Sequence, residues 1–423
     1  MRHAVNLSCF ISIDWSNGFP LRNVPARLRY DIIPKIVTTR SFDAAVIGLG
    51  AMGSAVALSL ARRKASVIGF DRFKPPHSFG SHGGSTRVFR MAYPELPDYV
   101  PLAQHAGKFW GRLEEETSTR LLTRCGLLTM GADDSAPICG IRYCAQHYEL
   151  PVEELTAGEI RKRYPAFHPS DDYVGCLETS AGWLDVDKSI EQMHRLARDF
   201  GAELMTDSEV TGWQNDGRTA VIRSRAGAFS ARNLIITGGA WAAKILRDLD
   251  LPLKVVRKTF AWFDPLIPDQ FAEGGIPIFG FPPKMFYGFP NIGGQGVKVA
   301  EHLGGDEAVD PDMAPAAGDR DKPPLVETAA RFLPGLAGPP PGDESRILRV
   351  SNCLYTMTPD ENFILDRHPD HDNVYFAAGF SGHGFKFAPL IGEIMADLAL
   401  AGLTAYPIDF LRLGGRFATE RYA

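Results

Sequence analysis

The stretch "DAAVIGLGAMGSAVALSLARRKASVIGFDR", residues 43–72, decides the fold. The apolar run Ala44–Ile47 reads as a buried strand, Met52–Arg63 as an amphipathic helix and Ser66–Phe70 as a second strand. Between the first strand and the helix stands Gly48-Leu49-Gly50-Ala51-Met52-Gly53, a G-x-G-x-x-G spacing in the strand, turn and helix context that gives it meaning. Gly48 makes the tight turn, Gly50 lets the backbone approach a pyrophosphate, and Gly53 lets helix and sheet pack closely. The helix N-terminus offers N–H groups and partial positive charge to the phosphates. Asp71, ending the second strand, is placed to hydrogen-bond an adenosine ribose hydroxyl. The fingerprint by itself fits FAD and NAD equally.

Working outward, "NLIITGGAW" (233–241) and "NVYFAAGFSGHGFKFAPLIGEIMADLAL" (373–400) repeat the order of apolar strand, glycines and helix. They predict one α/β, Rossmann-like domain assembled from discontinuous segments, 41–122, 184–250 and 350–410. "KTFAWFDP" and "KMFYGFP" are shorter alternating runs and predict antiparallel strands of a second, α+β domain over 123–183 and 251–349. "DPDMAPAAGDRDKPP" and "AGPPPGDES" are surface loops flanking a short helix around Val326–Leu333. Residues 1–40 carry basic residues, early turn formers and one short apolar stretch, Leu7–Ile13, and read as a disordered leader.

The 423 residues are 45% hydrophobic and 22% charged, a globular composition. Forty-five basic against 50 acidic residues give a net charge of −5, which favours neither nucleic acid nor a polybasic membrane anchor. No apolar run reaches the roughly 20 residues of a membrane-spanning helix. Six scattered cysteines, none in C-x-x-C, argue against a disulfide framework or structural zinc and fit a reducing, cytoplasmic compartment.

Several stretches could meet an anion. In "SHGGSTRVFRMAY" (81–93), Arg87 and Arg90 are three apart and would share a helix face, which is equally a solvated basic face. In "GFSGHGFKF" (379–387), glycines open an apolar helix and Lys386 stands between two phenylalanines, a place for an anion-binding lysine. His383 there reads as a packed, hydrogen-bonded histidine. Lys298 alternates with Val297 and Val299, so it points opposite to both, either to solvent or into a cavity. "DRHPDHDN" (366–373) reads as a polar turn and no metal site is expected. Cys353, in "VSNCLYTMTPDENFILD" (350–366), is a lone thiol; read alone it fills apolar space.

Taken together, "PPHSFGSHGGSTRVFRMAY", "YVPLAQ", "YGFP", "VKVAEH", "CLYTMTPDENFILD" and "GFSGHGFKF" resemble the monomeric sarcosine oxidase and N-methyl-L-tryptophan oxidase family of FAD-dependent amine oxidases, from about Phe42 to about Phe410. "VRKTFAWF" (256–263) looks more like the N-methyltryptophan branch. The resemblance implies FAD bound covalently through Cys353, a monomer, and a small-molecule secondary α-amino acid and dioxygen as reactants. It implies that Arg90 and Lys386 hold the substrate carboxylate, that Lys298 activates dioxygen, and that Arg87 stabilises negative charge on the flavin. It places His302 near the substrate amine, Tyr287, Tyr355 and Thr356 in the pocket, and Thr86, Gly382, Gly384 and Lys386 beside the cofactor. Where relatives commonly read Ser-His-His-Gly-Asp-Thr-Arg, this chain has Gly83 and Ser85 in place of a histidine and an aspartate. Glu301 stands where relatives vary. The expected activity is oxidation to an imine with hydrogen peroxide as co-product. The alternatives are a flavin dehydrogenase serving an electron carrier, a nicotinamide-dependent dehydrogenase and a catalytically silent flavin-binding protein.

Overall fold

A computed structural model describes residues 40–282, 285–303, 307–414 and 416–417. The expected leader lies outside the described residues apart from Arg40. Among them the chain forms an eight-stranded, a nine-stranded and a three-stranded sheet.

The opening strand, Ser41–Ile47, lies at the middle of the eight-stranded sheet. It pairs in parallel with Val67–Phe70 on one side and Gly227–Ile236 on the other; Glu203–Met205 and His371–Ala378 extend the parallel set outward. Strands buried on both faces read as continuous apolar runs, which is why "AAVI" and "LIITG" carry no alternation. The helix Ala51–Arg62 is buried from Met52 through Ala61 and is therefore not the amphipathic surface helix its sequence position suggests. It is sandwiched between the sheet and the helices Val186–Asp199 and Ala388–Ala401. Gly392 permits that approach, since a Cβ there would lie 2.6 Å from the Ala55 backbone. Val210–Asn215 and Ala220–Ser224 form an antiparallel ribbon on the edge of the same sheet.

In the nine-stranded sheet, Lys254–Phe263 is flanked by Val297–Glu301 and Ile347–Met357, both antiparallel. The sheet continues through Phe286–Phe289 and Ile278–Phe281 to Leu127–Ala132, where the one parallel pairing of Ile278–Phe281 with Leu127–Ala132 interrupts an otherwise antiparallel order. Segment 350–410 serves both sheets: residues 350–357 pair with Lys254–Phe263, whereas Ile364–His368 and His371–Ala378 belong to the parallel sheet. The nine-stranded sheet has two different faces. Ala261, Phe263, Val297 and Val299 pack with Leu325, Val326 and Ala329 of the helix Lys322–Phe332. Val256, Phe260, Trp262, Ala300, Cys353 and Tyr355 form the other face.

The loop between Glu307–Ala308 and Lys322–Phe332 is tied to the flanks of both sheets. Asp312 accepts from Trp241 Nε1 at 2.9 Å and Lys244 Nζ at 2.6 Å and pairs with Arg72. At the loop's other end Arg257 grips Asp321 with bonds of 2.9 and 2.7 Å.

Candidate active site

A cavity of about 710 Å³ runs from the Gly48–Met52 turn and Asp71, past His82 and Arg87, to Arg90, Tyr287, His302, Tyr355, Thr356, Gly382 and Lys386. The three fingerprint glycines divide the work by geometry. Gly48 has φ +93°, and a Cβ there would strike Thr237 O at 2.4 Å; at Gly53 it would strike Gly48 O at 1.7 Å. At Gly50 it would meet only His82 Nδ1, at 3.4 Å, so that side of the turn faces open cavity. The helix behind it has neither a side-chain cap nor an acidic residue in its first turn. Asp71 ties the turn to the second strand by accepting from Leu49 N at 2.8 Å and Phe73 N at 2.9 Å. Further along, Thr356 Oγ1 is buried, belongs to a residue lining the cavity and has no hydrogen-bond partner among the described residues. An uncovered glycine turn, a ribose-placed carboxylate and an unsatisfied hydroxyl fit an elongated dinucleotide such as FAD.

Thr86–Phe89 is a strand, paired with Gly182–Asp185, so the face that Arg87 and Arg90 would share on a helix does not form. Arg90 lies just beyond the end of the strand, and the two arginines do different things. Arg87 binds the carbonyls of Thr86, Ser81 and Gly83 at 2.8, 2.6 and 2.8 Å, clamping the loop before it. Arg90 donates to Ala92 O at 2.9 Å and to Glu95 Oε1 at 2.7 Å, with its guanidinium 4.4 Å from the Tyr93 ring centroid. Burial works against the Glu95 charge, but Arg90 holds its pKa down to about 2.

Lys298 points away from the valines beside it, toward the cofactor side of the sheet. It donates to Gly84 O at 2.6 Å, Thr86 O at 3.2 Å and Thr86 Oγ1 at 3.1 Å. Gly84, at φ +94°, has to be glycine here, because a Cβ would lie 2.6 Å from the Phe260 ring and 3.1 Å from Lys298 Nζ. Burial, then Arg87, pushes the Lys298 pKa well down. Lys298, Cys353 and Thr86 lie just behind the cavity wall rather than on it, with Lys298 and Cys353 4% exposed. Burial raises the Cys353 thiol, against the pull of Arg87, Lys298 and Lys258. Glu301 falls on the opposite face with Val297 and Val299 and does not line the cavity.

Lys386 precedes the helix Ala388–Ala401, in a single 3₁₀ turn. It donates to His383 O at 2.7 Å and Tyr93 OH at 3.1 Å. His383 Nε2 lies 3.0 Å from Glu361 O and so carries the proton, leaving Nδ1 to accept from Tyr93 OH at 2.6 Å. His383 is therefore a packed, hydrogen-bonded histidine, and it fixes the tyrosine that Lys386 leans on. Burial, then Arg90, lowers the Lys386 pKa strongly. His302 lies 3.4 Å from Tyr355 OH through Nδ1, and burial depresses its pKa to about 4, so it is neutral at pH 7. Gly382, at φ +81°, brings the backbone against Tyr355: a Cβ would sit 2.2 Å from that ring. Gly384 does not reach the cavity; its missing Cβ makes room for the Phe380 ring instead.

The residues that sequence reasoning passed over are His82, Tyr93, Glu95, Glu178 and Lys258. His82 Nε2 accepts from His77 N at 3.0 Å, so its Nδ1 proton points toward the Gly50 turn; burial brings its pKa to about 3. Glu178, 3% exposed, accepts from Met91 N at 2.7 Å and Ala92 N at 3.0 Å and so fixes the chain after Arg90. Only their approach in space marks these residues. Asp248, His368 and His371 converge within 4.8 Å, a possible cation group on distance alone. However, His368 Nδ1 accepts from Asp370 N at 3.1 Å, which places its proton on Nε2, directed at Asp248 Oδ2 2.9 Å away. The ring has no lone pair left for a metal.

The FAD dependent oxidoreductase family model matches residues 43–398. Monomeric sarcosine oxidase of Streptomyces avermitilis is 36% identical over 375 residues, covering 87% of this chain and 96% of the relative. N-methyl-L-tryptophan oxidase of Salmonella dublin is 33% identical over 381 residues, covering 88% and 98%. Among solved structures, the open form of NikD, an amino acid oxidase essential for nikkomycin biosynthesis, superposes with a TM-score of 0.77 at 26% identity, covering 88% of this chain and 97% of NikD. L-proline dehydrogenase from P. horikoshii, at 21% identity and a TM-score of 0.75, shares the fold. The chain belongs to the FAD-dependent oxidoreductases, within the group that contains monomeric sarcosine oxidase and N-methyl-L-tryptophan oxidase.

Proposed function

We propose that the protein oxidises a secondary α-amino acid, N-methylated or cyclic, to an imine and passes the electrons to dioxygen. The observation that carries this reading is the pair of basic side chains, Arg90 and Lys386, at the end of a cavity that begins at a nucleotide-binding turn. Two cations converging on one carboxylate supply charge-assisted bonds and fix its orientation, so the carbon beside the amine is presented in one pose. His302, kept neutral, can accept the proton that a protonated amine must lose before its C–H bond is activated. Tyr287 and Tyr355 close the site around it. Bound FAD would supply the two-electron acceptor and, through dioxygen, hydrogen peroxide. Lys298 is the fixed cation for the oxygen step, and Arg87 the cation beside the ring. Thr86, Gly48, Gly50, Gly53, Asp71 and Gly382 shape the cofactor site, and Cys353 bonds the flavin covalently. We assign the enzyme to the cytoplasm as a monomer. For an N-methyl substrate the imine hydrolyses to formaldehyde and the free amino acid.

Oxygen uptake by purified protein with sarcosine, N-methyl-L-tryptophan and a cyclic secondary amino acid tests the reading. Peroxide formation equal to oxygen consumed supports it. Flavin reduction by these substrates with no peroxide under air would make the protein a dehydrogenase instead.

A further inference from the structure

We propose that Lys258 serves Cys353: its ammonium, on the neighbouring strand, stabilises the thiolate that bonds the cofactor. This rests on the reading that Cys353 carries the flavin. Lys254–Phe263 and Ile347–Met357 run antiparallel with Lys258 directly opposite Cys353. Opposite residues project from the same face, with Cβ atoms about 5 Å apart. Lys258 is 5% exposed, and its Nζ lies 5.7 Å from the ring centroid of Tyr355, two residues beyond Cys353 on that face. Its neighbours there are Val256 and Phe260, so apolar packing does not account for a lysine.

The groups facing the thiol from other elements are Arg87 and Lys298, with Tyr287 and Tyr355 beside it. Arg87 and Lys298 donate to carbonyls of the 81–86 loop. Burial disfavours the thiolate, and a cation across the strand pair counters it. Attachment joins the Cys353 sulfur to the 8-methyl carbon of the ring. The thiol and the methyl group each lose a proton, the electron pair of the broken C–H bond enters the ring with those two protons, and dioxygen then removes the pair as hydrogen peroxide.

The test uses full-length protein produced without flavin, mixed with FAD at a series of pH values and sampled into acid. Colour that stays with the precipitate is covalent flavin. Lys258→Gln should bind FAD yet attach it roughly tenfold more slowly at neutral pH, matching a thiol pKa raised by about one unit, and should recover as pH rises. Lys258→Arg should keep the wild-type profile, and Lys258→Met repeats the comparison if the glutamine variant folds poorly. Attachment at the wild-type rate and pH dependence in both neutral variants would overturn the proposal, as would bound flavin that attaches at no pH, which marks a structural lysine. Cys353→Ser reports separately: covalent colour persisting in it would remove the reading on which the proposal stands.

Discussion

Lys298 stands between two valines, and the strand's period of two sends it to the cofactor side while they enter the core. That direction was half legible: alternation showed that the lysine and valines part company, but not which face meets a cavity. The role proposed for Cys353 comes from the resemblance alone, since a lone thiol has no spacing to read. Glu95, Glu178 and Tyr93 were illegible because their roles arise from contacts across the chain. A fixed cation about 4 Å from developing superoxide contributes about 4 kcal/mol at an effective dielectric of about 20. Lys298→Met should therefore slow flavin reoxidation by up to about a thousandfold and leave reduction by substrate near the wild-type rate. Stopped-flow measurement of the two half-reactions separates these, and unchanged reoxidation would remove the role. Because the Lys298 pKa is depressed, its charge is present at low pH and lost as pH rises through that lowered value, so reoxidation should fall on the same limb. At the other end of the cavity, Lys386→Met should reduce kcat/KM by about ten- to a hundredfold, the loss of one charge-assisted bond, with KM rising.

At the scale of elements, the glycine fingerprint was fully legible because each glycine answers to a fixed local geometry. Three-residue spacing left the conformation around Arg87 and Arg90 open, because it describes a shared face only where the segment is helical. Its conformation is set by pairing with Gly182–Asp185, nearly a hundred residues on, and tertiary pairing overrides local spacing. The burial of the first helix was missed for the same reason, since two other helices cover it. Gly53→Ala forces a Cβ into Gly48 O and should lower the thermal midpoint and abolish flavin retention together; thermal denaturation with absorbance of bound flavin checks both. Gly382→Ala adds left-handed strain of about 1–3 kcal/mol and displaces Tyr355. It should reduce turnover more than it reduces cofactor binding, with the ratio of bound flavin to protein as the control.

Across the whole molecule, the eight-stranded sheet carries the glycine turn, the nine-stranded sheet carries Tyr287, Lys298, Cys353, Tyr355 and Thr356, and the cavity is lined from both. This arrangement places histidines in dry surroundings. His82 and His194 are 6% and 4% exposed, and burial depresses their pKa values to about 3 and about 4. Below about 6.5 the unfolded chain protonates these rings and the folded chain does not. Stability should therefore fall as pH drops from about 6.5 toward about 4, and His194→Gln should flatten that slope in denaturant midpoints measured at several pH values. The central claim, that the two faces together form an amino acid oxidase, has a more direct test: the purified protein is mixed anaerobically with N-methyl-L-tryptophan or sarcosine, its flavin absorbance is followed, and air is then admitted. The account predicts bleaching by at least one of these substrates, recovery on exposure to oxygen, and hydrogen peroxide equal to the flavin reoxidised. Flavin that neither substrate bleaches, or that bleaches and recovers without peroxide, would contradict it.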